Sequence, residues 1–506
     1  MKRLIAAALL CATCVPAAPL FAQVVLGPTG PENPDHKKPA GRRADEPIVY
    51  RLTVTPAPEP SPPLKYSLSP RWSELTPGNS VPMWYRALAQ SGYSSPHIQP
   101  LNDNDDRWFT DSLNDMPIDE VRPFLQNRAN SLEDARTAAF REETKWDLRL
   151  RDLRGPETIT VLLGEFQDAR GLARLLSLQT RVHLLDRDFD AALADMTVAF
   201  RLARDVAEPE TLINDLIGIA IISITEVNIR HLIGMPGSPN LYWALATLPR
   251  PAIDLRDSTQ MEMTLPERYF PWLKDPATPE RTPEQWQHLL SGTLREVGGL
   301  HDSPLLPRSS SPDAVVNVAL AGLCLRGYPT VKRDLIESGV SPQQVGAMPV
   351  GKAIALHQQL VYQELSQSYA SAMYLPYPAA QRRFVQIDQA MRERGLHRAG
   401  PWERRETIPI ASSLLASFQQ AQMAQIRRDV SRAALMTVEA IRMHLAAEDG
   451  RFPKSLDEIT VVPVPKNPWT EAPFDYELTG GVAVIDLPFP NFHQRYELRV
   501  TDGAHN

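Results

Sequence analysis

Cysteine and glycine are scarce in this sequence. It holds 3 cysteines in 506 residues. Its 25 glycines are fewer than the usual share of ~7% would give. A disulfide scaffold needs more cysteines and collagen needs glycine at every third position, so both classes are excluded. Basic tracts are also lacking. The net charge is −7 and no cluster of lysine and arginine stands out, so we expect no nucleic-acid partner.

The motifs of common enzyme families are missing as well. There is no Gly-x-Ser-x-Gly elbow, no Gly-rich phosphate loop and no His-Glu-x-x-His zinc motif. Hydrophobic residues make up 43% and charged residues 22%, which are the proportions of a globular chain. The length is ample for a buried core and predicts roughly three domains.

The N-terminus has the pattern of an export signal. Lys2 and Arg3 precede an apolar stretch, Leu4–Val15, that is too short to span a bilayer, and prolines then lead to Ala22. We therefore predict a signal peptide over residues 1–22 with cleavage after Ala22. The mature protein is then exported to a periplasm, the cell envelope or the medium, and it has no further transmembrane segment.

The cysteines bear on this interpretation. Cys11 and Cys14 lie within the predicted signal, where an uncleaved anchor and a lipoprotein are the alternatives to cleavage. Removal of the signal leaves only Cys324, so the exported protein has no internal disulfide and no Cys-x-x-Cys pair. The apolar surroundings of Cys324 favour a small buried hydrophobe over a nucleophile, because nothing local supplies a base.

Proline is concentrated in the region after the signal. Residues 27–82 hold 13 of the 47 prolines, and proline cannot donate a backbone hydrogen bond to a helix or a central strand. We predict a proline-rich disordered tether over residues 23–80, with docking to a proline-binding partner as the alternative. Within it, the alternating run from Ile48 to Val54 predicts one edge strand.

Residues 81–405 show helical periodicity and predict a helical body. Its strongest block, 157–233, contains two amphipathic helices joined by a short polar turn, followed by a nearly apolar helix over Thr211–Ile233. Charged and amide side chains inside that last helix favour a buried core helix over a membrane span. Further helices are predicted at Val81–Ser91, Leu241–Thr247, Pro251–Tyr269, Thr282–Arg295, Asp313–Leu325, Val331–Ser338, Pro349–Leu375 and Pro378–Gly395.

The last hundred residues differ in character. Ile408–Ala447 reads as one long helix, which Gly450 ends. Alternating apolar and polar residues follow, with Gly480–Gly481 placed for a hairpin turn. The segment 406–506 therefore predicts a long helix packed on a small antiparallel sheet.

Four side chains are the candidates for an acid, a base or a ligand in a site assembled by folding: His183, His231, His357 and Asp215. A lone histidine in a helix is usually structural. Asp215 and Glu226 share one side of a helix, but about 16 Å of axial distance prevents both from acting on one atom. Hydrogen bonds to neighbouring loops are the simpler expectation for these two carboxylates.

Two patterns resemble parts of a metal site, but each lacks ligands that such a site needs. His357 and Glu364 are seven residues apart on one helical face, but a metal site needs a further ligand. The acidic loop from Asp103 has Arg107 and Trp108 where a calcium loop has an oxygen ligand and a glycine. Capping and turn chemistry explain its carboxylates equally well. The sequence thus assigns no catalytic, cofactor-binding or metal-binding residue and implies no cofactor.

The C-terminal segment resembles the major pseudopilins of type II secretion systems in about 80 residues. Those proteins have a helix, a Gly-Arg-Tyr-Pro turn and an Asp-Pro-Trp strand entry. The matching positions are Gly450, Arg451, Phe452, Pro453, Asn467, Pro468, Trp469, Phe474 and Tyr476. The chain departs from that family at its front, because it lacks the prepilin cleavage motif and the hydrophobic stem, and the family's acidic calcium loop is not evident.

A second resemblance is to a tetratricopeptide helix pair. Phe189, Ala192 and Ala199 occupy positions where that repeat places an aromatic and two small residues, although no 34-residue period runs along the chain. The whole chain resembles exported helical proteins of planctomycete-type bacteria, which have no assigned activity. The predicted fold class is therefore mainly α, with an irregular tetratricopeptide- or solenoid-like body and a small C-terminal helix plus antiparallel hairpin or sheet.

Three functions remain open on the sequence alone. We favour a non-catalytic exported scaffold that binds a protein partner and associates at most peripherally with the envelope. The first alternative is a periplasmic hydrolase whose site forms only in the fold, so the question of enzyme activity stays open. The second alternative, suggested by the pseudopilin resemblance, is a component of a secretion or surface assembly.

Overall fold

The computed structural model describes residues 46–91, 99–110, 112–155, 166, 168–277, 279–300, 311–394, 410–413, 418–490 and 492–501. The predicted signal peptide, residues 1–22, lies outside the described residues, as do residues 23–45 of the predicted tether and most of 157–167. The predicted fold class is confirmed: the described chain is mainly helical and carries a small sheet built largely by its C-terminus.

The helices of the described chain fall into three groups along the sequence. The first group contains α1 (Val81–Ser91), α2 (Gln99–Asp103), α3 (Asp105–Trp108), α4 (Ile118–Gln126) and α5 (Ala129–Ala139). The second contains α6 (Asp168–Leu185), α7 (Phe189–Ala207), α8 (Leu212–Ile233) and α9 (Tyr242–Ala246). The third contains α10 (Arg256–Tyr269), α11 (Pro271–Lys274), α12 (Pro283–Leu300), α13 (Asp313–Glu337), α14 (Pro342–Ala347), α15 (Val350–Ala372), α16 (Tyr377–Glu393), α17 (Ile410–Ser413) and α18 (Phe418–Ala447).

Six strands form two sheets in the described chain. The strands are β1 (Ile48–Val54), β2 (Thr76–Asn79), β3 (Arg141–Glu143), β4 (Asp475–Thr479), β5 (Val482–Leu487) and β6 (Gln494–Val500). The larger sheet has the order β1-β6-β5-β4, and β2 pairs with β3 in the smaller one. The hairpin β4–β5 turns at Gly480 and Gly481, both at positive φ, which confirms the predicted turn.

Helices α6, α7 and α8 form the centre of the molecule. Asp188 begins α7 by accepting a hydrogen bond from the Ala191 amide, and Thr211 caps α8 through the Asn214 amide. Two described helices, α8 and α13, are long and apolar enough to cross a membrane by length and composition. The most apolar stretch of α8 is 94% buried by neighbouring elements, so α8 is the core helix that the sequence predicts.

Part of the predicted tether is folded. The predicted edge strand exists as β1, but it pairs in parallel with β6, so the sheet is mixed and not purely antiparallel. Beyond β1, Leu68 is fully buried and the Ala57 amide donates to the carbonyl of Arg442. The prolines flank β1 and do not interrupt it, which is why a proline-rich segment can still add a strand at a sheet edge. The prediction of a disordered tether up to residue 80 is therefore wrong for residues 48–80.

The boundary predicted between 81–405 and 406–506 does not separate two cores. One continuous apolar cluster contains Leu184 of α6, Ile229 of α8, Ile441 of α18 and Tyr496 of β6. A second cluster joins α1–α8 to α10–α18. Helix α18 contributes to both, because Phe418 lies in one cluster and Ile441 in the other.

Two local predictions need correction. The separate helices predicted at Asp313–Leu325 and Val331–Ser338 are one helix, α13, which continues through Pro329 because Gly327 and Val331 on either side are buried in packing. The acidic stretch predicted as a loop forms the short helices α2 and α3. In α3, the carboxylate of Asp105 forms an ion pair with the guanidinium of Arg174 on α6, with 2.5 Å between Oδ1 and Nη2.

A buried ion pair joins α18 to two distant segments. Arg442 contacts Glu439 one turn away at 2.9 Å, and both side chains are fully buried. The remaining donors of Arg442 reach the carbonyl of Thr55 at 3.0 Å and the carbonyl and hydroxyl of Ser238 at 3.1 and 2.8 Å. Asn240 adds a hydrogen bond to the Glu439 carbonyl at 2.9 Å. One guanidinium thus holds the chain after β1 and the turn before α9 against α18.

We expect Arg442→Met to reduce the free energy of unfolding by about 3–5 kcal/mol, because Glu439 would remain buried without its cation. The double variant Glu439→Leu/Arg442→Met should regain much of that loss. Arg451→Met is the matched control, since Arg451 and Glu448 form an exposed pair at 3.2 Å, and should cost less than ~1 kcal/mol. Urea denaturation measures all three. Equal losses in Arg442→Met and Arg451→Met would contradict the assignment.

Gly218 permits the close approach of α7 and α8. A Cβ at this position would lie 2.6 Å from the carbonyl oxygen of Ala203. Gly218→Ala should therefore lower the unfolding free energy by about 1–3 kcal/mol despite the higher helix propensity of alanine. Gly292→Ala in α12 is the control, because no atom lies within 4 Å of its added Cβ, and it should hold or raise stability. Thermal denaturation of both variants checks the prediction, which fails if the two shifts are alike.

Candidate binding pocket

A pocket of about 360 Å³ opens between α4, α5 and α6. Its apolar lining consists of Leu125, Ala129, Leu132 and Val182. Its polar lining consists of Arg122, Gln126, Glu133, Arg136, Gln179 and His183. Leu125 of α4 and Leu132 of α5 line the pocket, and the polar residues that follow them, Gln126 and Glu133, line it as well.

The turn between α4 and α5 shapes one wall of the pocket. Arg128 donates to the Phe124 carbonyl at 2.8 Å, and its guanidinium lies 3.6 Å from the centroid of the Phe124 ring. Trp108 packs edge-on against the same ring at 4.7 Å. These contacts fix the end of α4 and therefore the position of Leu125 and Gln126 in the wall.

His183 of α6 and Asp195 of α7 form the charged centre of this region. The Nδ1 atom of His183 lies 2.8 Å from Oδ2 of Asp195. Gln179 donates to the other carboxylate oxygen at 2.9 Å, and Arg136 approaches that oxygen to 3.5 Å. Asp195 is almost fully buried, whereas His183 is partly exposed to the pocket. Asp195 raises the pKa of His183 above its usual value and so favours the imidazolium.

The edge of the pocket carries charges of both signs. Arg122 pairs with Asp186 at 2.5 Å and Arg136 pairs with Glu133 at 3.1 Å, all four side chains being substantially exposed. Such exposed pairs contribute little to stability. They do set the two arginines in place around an apolar floor, with Gln126 beside them.

The pocket offers several groups for binding a ligand. Its described lining has no serine, threonine, cysteine or lysine, although Glu133 and His183 belong to side-chain types that can act as nucleophiles. Because Asp195 raises the pKa of His183, this imidazole is suited to donating a hydrogen bond to a ligand. An apolar floor with a fixed, two-signed polar edge suits a ligand that is itself part apolar and part polar.

The other candidate histidines have structural surroundings. The Nε2 atom of His231 lies 3.0 Å from an Nη of Arg181, and burial together with Arg181 lowers the pKa of His231 well below its usual value. The Nε2 atom of His357 lies 2.9 Å from Asp334, and burial lowers the pKa of that histidine. Neither lines the pocket, so only His183 of the three histidine candidates does.

The candidate carboxylates do not form a shared site. Glu226 pairs with Arg428 at 2.5 Å and accepts from Ser431 at 2.9 Å, both on α18. Asp215 is buried near Ser258, and this burial raises the pKa of Asp215 well above its usual value. The expectation of separate hydrogen-bonded carboxylates holds for Glu226, which however bonds to a helix and not to a loop.

The neighbours of the candidate metal ligands and of the candidate thiol show what these side chains contact. Glu364 contacts Arg394 at 2.8 Å, and His357 has a different partner, so the two share no ligand position. Within the described ranges, no group of three or more potential metal ligands is found. The sequence predicts a buried Cys324, but this side chain is only half-buried against the core. Burial raises the pKa of its thiol to about 11.

A second cleft, of about 980 Å³, lies between residues 146–152, the turn at 208–210 and α10. Its lining is polar and holds both acidic and basic side chains, but its described residues include no histidine or cysteine. Asp147, Arg149 and Glu210 in its walls have positive φ angles of 45°, 51° and 54°. The pocket at α4–α6 is the stronger candidate because its histidine and carboxylate are oriented by named partners.

Asp195 is the residue that sequence reasoning missed. It lies between Ala192, Met196 and Ala199 on the predicted apolar face of α7, where a charge has no place unless it is paired. That conflict was the available signal. A histidine on the preceding helix, across a short turn, was the natural partner to test.

We expect Asp195→Asn to lower the pKa of His183, because a neutral amide replaces the carboxylate 2.8 Å away. Histidine-selective NMR titration measures it, with His183→Gln to assign the signal. A raised folded-state pKa means that His183 adds stability below about pH 6.5. That contribution fades as the pH rises through the folded-state value. An unchanged His183 pKa in Asp195→Asn would refute the pairing, and the other histidine signals serve as internal controls.

Similarity to known proteins does not guide the interpretation of this pocket. No protein-family model matches the chain, and neither a curated protein nor a solved structure matches it. The resemblances to pseudopilins, to tetratricopeptide pairs and to planctomycete-type exported proteins therefore stay predictions. The residues of the pocket are what the chain offers as evidence of function.

Proposed function

We propose that this protein is a non-catalytic scaffold that is exported and binds a peptide segment of a partner protein in the pocket between α4, α5 and α6. The observation that carries the proposal is the pairing of an apolar floor with a fixed polar edge. Leu125, Leu132 and Val182 supply the floor, and His183 and Arg136 are held at the edge.

The size of the pocket supports a peptide side chain as the occupant. A volume of about 360 Å³ is near the lower end of small-molecule sites, which span roughly 300–1,000 Å³. It suits one large apolar side chain, and such anchors dominate many protein interfaces. Gln126 and Gln179 have amides of the kind that pair with the backbone of an extended peptide.

The charges favour a peptide segment over a free anion as the ligand. The edge holds three basic groups, Arg122, Arg136 and His183, but the acidic Asp186, Glu133 and Asp195 balance them. A net-neutral edge gives little attraction to a free phosphate or a single carboxylate. A partner segment with both polar and apolar groups satisfies it better. The hydrolase and the secretion-assembly component remain the alternatives.

The test uses the full chain on beads and a phage-displayed library of linear peptides as the probe. Ala129 is exposed at the pocket edge, so Ala129→Phe should fill the pocket without disturbing the core. We expect selected peptides to share an apolar anchor and to bind Ala129→Phe at least ~10-fold more weakly, a difference of 1.4 kcal/mol. Ala390→Phe, an exposed position on α16, is the matched control and should bind as the wild type does.

Two results would count against this function. One is that no peptide is enriched over bare beads, and the other is that Ala129→Phe binds the selected peptides as tightly as the wild type. A hydrolytic activity that His183→Gln abolishes would favour the enzyme alternative instead. Thermal denaturation of each variant confirms that a loss of binding does not come from unfolding.

A further inference from the structure

Helix α13 has an apolar face that the rest of the described chain leaves open. Its inner face packs on α12 and α15 through Val316, Leu320, Val331 and Leu335, all buried. Its outer face exposes Val315, Val318 and Leu325 by 53%, 74% and 83%. Only 22% of the most apolar stretch of α13 is buried. The corresponding stretch of α8, a helix of similar length and hydropathy, is 94% buried. This uncovered apolar face is a part of the described chain that an interaction partner could cover.

The outer face is continuous along the first three turns. At 100° per residue, the exposed positions Ala314, Val315, Val318, Ala321, Gly322 and Leu325 fall on one side. No charged residue occurs between Asp313 and Arg326. Asp313 lies about 120° around the helix from Leu325, and its carboxylate contacts Arg295 of α12.

Basic side chains continue the same face. Lys332 and Arg333 are exposed and lie on either side of the line through Leu325, Pro329 and Ile336. Lys332 lies 5.3 Å from the ring centroid of Tyr328, which holds the lysine along the helix. Arg326 is exposed at one edge of the face.

The acidic residues of α13 lie off this face. Asp334 is on the opposite side of the helix, where it contacts His357 at 2.9 Å, and Glu337 lies about 120° from Leu325. Arg333 reaches Asp334 at 3.3 Å but remains 59% exposed. The outer face therefore combines an apolar half with a cationic half and has no acidic group of its own.

We infer that α13 docks lengthwise on the surface of an anionic phospholipid bilayer. Apolar side chains beside lysine and arginine are the pattern of helices that lie in the membrane interface, where anionic headgroups attract the cations. The helix does not span the bilayer, because its inner face is part of the protein core. The inference is independent of the proposed peptide site, which uses α4–α6.

A second copy of the chain fits this face less well. The apolar part runs from Val315 to Leu325, which is roughly 16 Å of helix about 10 Å wide. That is on the order of 200 Å² per copy, whereas a stable interface needs about 800 Å² from each partner. A bilayer sets no such minimum for one helix, because the remaining attraction comes from the headgroups.

The experiment is co-sedimentation of the full chain with vesicles, one set of phosphatidylcholine alone and one of phosphatidylcholine mixed with phosphatidylglycerol. We expect binding to the mixed vesicles only, and loss of that binding at high salt. Val318→Asp/Leu325→Asp and Lys332→Glu/Arg333→Glu should each weaken it at least ~10-fold. Val385→Asp is the matched control, since Val385 is 61% exposed on α16, and should bind like the wild type. The wild type and the variants have the same N-terminal residues. A difference in vesicle binding between them therefore comes from the changed side chains.

Several outcomes would overturn the inference. These are no binding to phosphatidylglycerol vesicles, equal binding to both vesicle types, or equal binding by the wild type and the α13 variants. Light scattering tests the second copy: a wild-type dimer that Val318→Asp/Leu325→Asp converts to a monomer would assign the face to self-association. Because the changed side chains are exposed, an unchanged thermal midpoint should accompany each variant.

Discussion

The arrangement of this protein depends on one buried guanidinium. Arg442 lies inside the molecule and contacts Glu439, while its other donors hold the carbonyls of Thr55 and Ser238. Burying a charge is costly unless every donor finds an acceptor, and here they do. This requirement couples three parts of the chain that are about 200 residues apart in sequence. The position of the chain after strand β1 is therefore tied to both α18 and the turn at Ser238.

The same logic continues along α18. Within little more than one turn, three of its polar side chains meet three different neighbours. Arg428 contacts Glu226 of α8, Asp429 accepts a hydrogen bond from Tyr377 of α16 at 2.6 Å, and Arg432 reaches the carbonyl of Pro249. Apolar packing alone would tolerate sliding of a helix by one turn, whereas these pairs would be broken by it. Helix α18 thus fixes the register of the elements around it.

The local parts of this fold could be predicted from the sequence. A nearly apolar run that contains charged and amide side chains predicted α8 as a buried core helix, and the paired glycines predicted the β4–β5 turn. The pairing of β1 with β6 could not be predicted, because Tyr50 and Tyr496 meet across the whole chain and no local pattern encodes that distance. Composition pointed to a tether there, since proline content describes a segment but not what packs against it.

The pocket shows the same division. His183 could be singled out because histidine is a common acid, base or ligand. Its surroundings depend on Asp195, which the packing of α6 on α7 brings within 2.8 Å. The outer face of α13 was hidden for the opposite reason. Its sequence is apolar like that of a core helix. Only the packing of α12 and α15 on one side shows that, among the described residues, nothing covers the other side.

The two proposed surfaces share a property that separates function from stability. In each, the residues that would meet a partner project from helices whose opposite faces are buried: Ala129 on α5 is exposed while Leu132 packs inward, and Val318 on α13 is exposed while Leu320 packs inward. Since exposed positions contribute little to the unfolding free energy, changes there should alter binding without loosening the core. Arg442 and Gly218 have the opposite character, because every contact they make is internal. The fold can therefore keep its register through α18 while the surfaces of α5 and α13 vary independently.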